Sequence, residues 1–251
     1  MNLLSIDCAC SVLSVAASRG EDIYCSETEI AMKQSELVMD YIDNVMKKAS
    51  LKPSELNGVL CMGGPGSFTG LRIGYSAAKG IALSLSIPFA PVPTLDCIAY
   101  KAAQDIKEGI TLAAVEARKN ACFYAFYKGA QHITPVKDAD VKTIACEITG
   151  LCVAKAAGVI ETAGAAKAAG AAKAAGEKII LTGPGSALII NFLPPEIKKN
   201  INLRNENKGY AKEIITIAVN NKIFDNDNTA FLYSGPEYFR QSDAQKEQTP
   251  E

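Results

Sequence analysis

Apolar and polar positions along the 251-residue chain change period several times, and each change marks an element. The first three apolar runs, 2–6, 11–18 and 23–30, are short and are separated by turn-rich links at 7–10 and 19–22. Such spacing predicts an antiparallel meander. Between residues 34 and 49 the period becomes helical, with Leu37, Val38, Tyr41, Ile42, Val45, Met46 and Ala49 on one stripe. A buried strand at 58–62 follows, then a glycine-rich loop. Next comes a helix over 71–86, where Ile73, Ala77, Ala78, Ile81, Ala82 and Leu85 recur at helical spacing. A strand at 89–92 and a helix from Thr94, read as its N-cap, to about residue 104 close the first half.

The second half opens in a similar way. Residues 110–117 and 122–127 read as a hairpin joined by Arg118-Lys119-Asn120, while no element is assigned over 131–152. A strand at 178–181 leads into a second glycine turn, Gly183-Pro184-Gly185-Ser186, then a helical segment and a last helix over 210–222. The tail is polar apart from Phe231-Leu232-Tyr233 and Tyr238-Phe239. From Lys155 the chain nearly repeats in sixes built on Lys-Ala-Ala-Gly. Each interior glycine costs a helix about 1 kcal/mol, and a six-residue period leaves no continuous stripe. Residues 155–176 therefore read as a marginal, solvated helix without chemistry.

A meander followed by alternating helices and strands, and then by a second unit of the same kind, predicts two related α/β lobes. The boundaries fall at 1–105 and 106–228, with a tail at 229–251, and the helix at 210–222 is a candidate to pack back on the first lobe. Sites in such layouts lie in the crevice at the carboxyl ends of strands. Asp7 and both glycine turns would sit there.

Gly63-Gly64-Pro65-Gly66-Ser67-Phe68-Thr69-Gly70-Leu71-Arg72-Ile73-Gly74 is the densest signal in the chain. It lies between a strand and a helix, and Ser67 or Thr69 is placed to cap that helix. A phosphate loop of the common NTPase type needs Lys after Gly70, where Leu71 stands. The dinucleotide fingerprint fails too, because Thr69 stands where its third glycine belongs. Counted by its glycines alone, the loop is equally a tight structural turn. Charge narrows the field further: 26 basic against 27 acidic residues give a formal charge of −1, which argues against a protein that grips a phosphate backbone by itself. Eight cysteines contain no Cys-x-x-Cys pair, and the single histidine, His132, makes a His-based metal site improbable and reads as a surface residue. Asp7 interrupts any leader-like apolar core, and the longest apolar stretches are broken by Gly and Pro, so the expected setting is cytoplasmic, away from membranes.

Several of these segments resemble the bacterial TsaB (YeaZ) family of the two-lobe actin/Hsp70-like (ribonuclease H-like) ATPase superfold. Leu4-Ser5-Ile6-Asp7 with Ser14-Val15-Ala16 is similar to that family's first hairpin, and Gln34-Ser35-Glu36-Leu37 continuing to Tyr41-Ile42-Asp43 to its first helix. Gly64 to Gly74 matches its signature loop almost letter for letter. Glu116-Ala117-Arg118 resembles its Asp-Ala-Arg turn, and Pro236-Glu237-Tyr238-Phe239-Arg240 its last strand. The likeness is good to about residue 128 and thin from there to about 229. Three departures stand out: Cys8 where Thr or Ser follows the Asp, Gln34 where the family usually has His, and Glu116 for Asp. Catalytic TsaD/Kae-type relatives bind a metal through His-x-x-x-His on the equivalent helix; Gln34 and Val38 occupy that spacing here.

The resemblance implies a non-catalytic scaffold. Its TsaD-type partner transfers threonylcarbamoyl to the adenosine beside the anticodon of tRNA, a TsaE-type ATPase joins the assembly, and tRNA is met only indirectly. No catalytic residue and no metal are expected. Asp7, Gly64 and Gly66 would be a vestigial nucleotide site, with ATP or ADP at a subunit boundary as the one cofactor in view; a carboxylate at a hairpin turn is also a common turn residue. The family's contact is a bundle of the first two helices, which carries over onto Gln34, Leu37, Val38, Tyr41, Ile42, Val45, Gly70, Arg72, Ile73, Gly74 and Ala77. Core packing accounts for much of that stripe, but it is wider than one sheet face needs, so the surplus would meet a partner chain, whether TsaD-type or a second copy. Two other readings compete. One is a kinase-like or ATPase enzyme using Asp7 and the two glycine turns; the other, ranked last, is a glycoprotease-like homologue.

Overall fold

A computed structural model describes residues 1–29, 33–106, 108–157, 178–204, 208–225 and 235–236, the side chains of 153–157 excepted. The first sheet uses β1 (Leu3–Asp7), β2 (Val12–Arg19), β3 (Asp22–Glu29), β4 (Gly58–Gly64) and β5 (Phe89–Pro93), in the order β3-β2-β1-β4-β5. The first three strands pair antiparallel, while β4 and β5 add in parallel. The second sheet repeats this plan. Its hairpin, β6 (Ile110–Arg118) and β7 (Ala121–Lys128), is flanked on one side by β10 (Ile179–Thr182) and β11 (Ile201–Arg204), both parallel to β6. On the other side β7 pairs with the short strands β8 (Gln131–His132) and β9 (Lys137–Asp140). Two copies of one mixed-sheet plan make this the actin-like, ribonuclease H-like superfold.

Helices fill the layers between and outside the sheets: α1 (Gln34–Lys48), α2 (Phe68–Leu85), α3 (Thr94–Asp105), α4 (Val141–Ala157), α5 (Ser186–Ile190), α6 (Pro195–Lys198) and α7 (Ala211–Asn220). The period-two alternation of each strand assigns its residues to layers. Leu4 and Ile6 of β1, with Val59 and Cys61 of β4, pack under α1 and α2. Leu3, Leu60 and Met62 face the other way, onto α3 and α7. Those two helices lie between the lobes, since the same cluster takes in Ala113, Val115, Ala125 and Tyr127 of the second sheet. Leu112, Tyr124 and Phe126 point outward to α4, α5 and α6. Both faces of both hairpins are buried, so these strands read as continuous apolar runs.

Local chemistry moves some boundaries. α2 starts at Phe68, three residues before the apolar stripe, because the Ser67 hydroxyl accepts the Gly70 N–H at 3.2 Å and holds the first turn. Ser67 is the cap; Thr69 lies inside the helix. Thr94 is not the N-cap of α3: Pro93 takes that position, and the Thr94 hydroxyl is buried without a hydrogen-bond partner among the described residues. The unassigned stretch 131–152 holds β8, β9 and α4, the last begun by Asp140, whose carboxylate accepts the N–H groups of Lys142 and Thr143. Of the six-residue repeat, 155–157 continue α4, while the expected marginal helix over 158–177 lies outside the described residues. So do Phe231 to Tyr233 and the expected strand around Tyr238.

Candidate functional site

β1 delivers Asp7 to the end of the first sheet, where the carboxylate is fully buried. Its Oδ1 accepts the Ala9 N–H at 3.0 Å and its Oδ2 accepts the Tyr210 N–H at 2.9 Å. Burial pushes the carboxyl up to about 6, against the pull of those two amides; Glu213 adds to the rise and Lys101 offsets it. The segment it holds, Gly209 to Ala211, enters α7 and is gripped from several elements. Ser5 Oγ donates to the Ala211 carbonyl at 2.7 Å, Lys101 Nζ donates to the Gly209 carbonyl at 3.2 Å, and Glu27 accepts the Gly209 N–H at 3.3 Å. A Cβ on Gly209 would overlap Ser14, so glycine lets this segment lie directly on β2.

The glycine loop follows the same logic of close backbone approach. Gly64 has φ of 112°, a value side chains other than glycine rarely adopt. A Cβ on Gly66 would stand 2.7 Å from the Ala9 carbonyl oxygen, and one on Gly70 would overlap the Cys8 carbonyl. The Ser67 N–H donates to the Ala9 carbonyl at 2.7 Å. The loop is therefore laid on the Cys8–Cys10 turn of its own chain. Phosphate recognition needs open amides and a cradle that a Cβ would fill; here backbone already fills the cradle at Gly66, and the Asp7 carboxylate is fully buried with a backbone amide on each oxygen. These residues do not fit a nucleotide phosphate. The second turn repeats the device: Gly183 has φ of 91°, its Cβ would meet the Ala114 carbonyl, and the Gly185 N–H donates to that carbonyl at 3.0 Å. Asp7 and the first loop are thus brought together, while the second turn packs on Ala114, Cys122 and Ile98.

The face expected to meet a partner divides in two. Val38, Ile42 and Val45 are buried on the inner side of α1, and Gly70 and Gly74 point inward at Cys8, so these five serve the chain's own packing. Gln34, Leu37 and Tyr41 of α1, with Ile73 and Ala77 of α2, are half-buried at the outer edge of that layer, the four apolar ones packed against its core. Arg72 is exposed, its guanidinium 3.9 Å from the Phe68 ring centre. Periodicity missed the apolar side chains on the solvent side: Met39 at 55%, Leu83 at 61% and Phe68 at 37% exposure. Their signal was present, since each is an apolar residue standing off the helical stripe.

Other reactive side chains are engaged elsewhere. His132 is held structurally, with Nε2 2.6 Å from Asp96 Oδ1 and Nδ1 3.1 Å from the Thr134 carbonyl. Burial pushes the Cys8, Cys61 and Cys97 thiols well above the usual range, which leaves them inert. Among the described residues no cluster of His, Cys, Asp or Glu is grouped to hold a metal ion, and no helix is long and apolar enough to cross a membrane.

Comparison with known proteins places this geometry. The family model described as TsaD, tRNA N6-adenosine threonylcarbamoyltransferase, matches residues 28–247. The tRNA threonylcarbamoyladenosine biosynthesis protein TsaB of Buchnera aphidicola (Acyrthosiphon pisum strain) is 30% identical over 125 residues, 50% of this chain and 57% of that protein. TsaB of Escherichia coli is 30% identical over 130 residues, 51% of this chain and 55% of its own length. The chain thus spans little more than half the length of these curated relatives. Among solved structures, YeaZ from Pseudomonas aeruginosa superposes with a TM-score of 0.67 at 17% identity, covering 88% of this chain and 92% of that one. A Pseudomonas aeruginosa protein described as similar to peptidase YeaZ gives 0.73 at 18% identity, covering 95% and 99%. At those identities the structures speak for the fold.

Proposed function

The chain belongs to the TsaD family of tRNA N6-adenosine threonylcarbamoyltransferases, and from that membership we propose that it is a non-catalytic, activating subunit of the complex that modifies the adenosine next to the tRNA anticodon. One observation carries the reading. The outer flanks of α1 and α2 carry an apolar margin, with Leu37, Tyr41, Ile73 and Ala77 half-buried and Met39, Phe68 and Leu83 exposed. A lone subunit gains nothing from such an apolar margin, and a partner that covers it removes that surface from water.

The absence of its own chemistry in this proposal rests on side chains. Gln34 and buried Val38 stand where a metal-binding relative would place two histidines, and the Asp7 carboxylate is spent on backbone amides. The partner that fits is a TsaD-type catalytic chain, with a TsaE-type ATPase joining the assembly and a second copy of this chain as the competitor for the same helices. With a net charge of −1, the subunit leaves the grip on tRNA to others. Any ATP or ADP would sit at a subunit boundary and not on Asp7, and the setting is the cytoplasm.

Reconstitution tests this. The isolated chain is expected to transfer nothing to tRNA, and to stimulate a TsaD-type subunit when added to it. Replacing Leu37 and Tyr41 with Asp removes the stimulation while leaving the fold intact. Retained stimulation in that variant overturns the interface. The enzyme reading makes the opposite forecast, namely micromolar ATP–magnesium binding and turnover by the isolated chain in a calorimeter.

A further inference from the structure

The buried carboxylate at the end of β1 sits between two places that the chain keeps far apart in sequence. On one side is Tyr210, 203 residues away, where α7 begins in the layer between the lobes. On the other are the first two turns of α2, which carry Phe68, Arg72 and Ile73. The connection is an unbroken series of hydrogen bonds. The Tyr210 N–H donates to Asp7 Oδ2, and the Ala9 N–H donates to Asp7 Oδ1. The Ala9 carbonyl accepts the Ser67 N–H, and the Ser67 hydroxyl and carbonyl accept the N–H groups of Gly70 and Leu71. Contact doubles the link, since Gly66 lies on Ala9 and Gly70 on Cys8 with no room for a methyl group.

We infer that Asp7 is a positioning residue that couples the seat of α7 to the shape of the outer face at the start of α2. The α7 end of this relay is fastened to the layer between the lobes. Lys101 of α3 donates to the Gly209 carbonyl and lies 3.6 Å from Glu213, and Ser5 holds the Ala211 carbonyl. A rigid series of this kind has no slack: shifting Tyr210 withdraws a donor from Asp7, frees the other oxygen to move, and releases the Cys8–Cys10 turn on which the glycine loop rests. Coupling between two sites is reciprocal. Crowding the glycine loop therefore loosens the start of α7, just as loosening α7 softens the loop. The intramolecular part stands without any partner; its consequence for partner binding rests on the function proposed above.

Hydrogen exchange on the full-length chain, read by mass spectrometry, tests it with three variants. Asp7→Asn leaves one of the two amides facing an NH₂ group, and is expected to speed exchange about tenfold at 8–10, at 67–71 and at 210–214 together, relative to the strands β4 and β6. Ser5→Ala removes the bond to the Ala211 carbonyl and a longer one to the Ala16 carbonyl of β2, neither of them part of the series, and is expected to speed 210–214 while leaving 67–71 unchanged. Gly66→Ala pushes on Ala9 from the far side, and its reciprocal signature is faster exchange at 210–214. If Asp7→Asn and Gly66→Ala each disturb only their own side, the coupling is wrong. Should either variant fail to fold, the wild-type chain decides: adding a TsaD-type subunit is expected to protect 210–214 as well as the covered face. Protection confined to 34–41 and 67–73 overturns the relay. Absence of protection even there refutes the proposed function, and the coupling is then decided by whichever of the two variants folds: faster exchange on its far side supports it, and a wild-type rate there overturns it.

Discussion

Asp7 is the residue where chemistry and architecture meet, and its ionisation has a readable consequence. The folded chain holds its carboxyl at about 6, above the ordinary 3.8, so between those pH values the folded state binds more protons than the unfolded one. The charged form is thus a cost above pH 6, relieved as pH falls toward 4. Relative to Asp7→Asn, the wild-type chain should gain about 2 kcal/mol on going from about pH 7 to about pH 4.5, measured by urea unfolding across that range. Parallel stability curves for the two proteins would contradict the burial of an ionised Asp7. Glycines make a second contrast at this scale. Gly70→Ala drives a methyl group into the Cys8 carbonyl and should destabilise by about 2 kcal/mol or more. Gly80 lies on the open side of α2, where an added methyl group would meet nothing within 4 Å, and should gain about 0.5–1 kcal/mol from alanine. The close approach at Gly70 was not legible in the sequence. Glycine count announced a tight excursion, but nothing local says that the object approached is the chain's own turn at Cys8 and Ala9.

Among the elements, α1 and α2 carry the test of surface against core. The helical stripe was plain in the spacing of Leu37 to Ala49, and so was its excess width. Which members face inward was not, because the stripe shows direction only modulo the roll of the helix on its sheet. The roll puts Val38, Ile42 and Val45 inside and leaves Leu37 and Tyr41 at the edge. Val45→Ala and Ile42→Ala should therefore each cost about 1–4 kcal/mol of stability, with stimulation of a partner preserved at temperatures where the fold survives. Leu37→Asp with Tyr41→Asp, at half-buried positions on the edge of that core, should abolish the stimulation while lowering the unfolding midpoint less than the core variants do. Thermal unfolding alongside an interaction assay separates them; a core variant that kept its stability but lost its partner would exchange the two roles. The missed helix α4 has a different cause. Its cap, Asp140, sits at the end of a charged run, Lys137-Asp138-Ala139-Asp140, that masks both the strand β9 and the start of the helix. Ile144, Ala145, Ile148 and Leu151 kept their helical spacing throughout.

For the whole molecule, the two-lobe plan was legible because each lobe announces itself with a hairpin and then alternates helices with strands. The joint between the lobes was legible only in outline: the helix at 210–222 was expected to pack back on the first lobe, and α7 does so, but its bond to Asp7 and the layer it shares with α3 were not. The joint depends on α7 returning across 203 residues to Asp7, and on α3 and α7 filling one shared apolar layer. Contacts of that separation leave no periodicity to read. They matter for function because they occupy the crevice at the strand ends where layouts of this kind receive ligands, and they turn the site into a support for the outer helices. In the adaptor role proposed here, the chain keeps the frame of an enzyme and uses its buried carboxylate to hold itself together. The most direct measurement is threonylcarbamoyl transfer to tRNA by a TsaD-type subunit with this chain absent, present, and present as the Leu37→Asp, Tyr41→Asp variant. The account predicts activity only in the presence of the unmodified chain. Transfer or brisk ATP hydrolysis by the chain alone, or full stimulation by the variant, would contradict it.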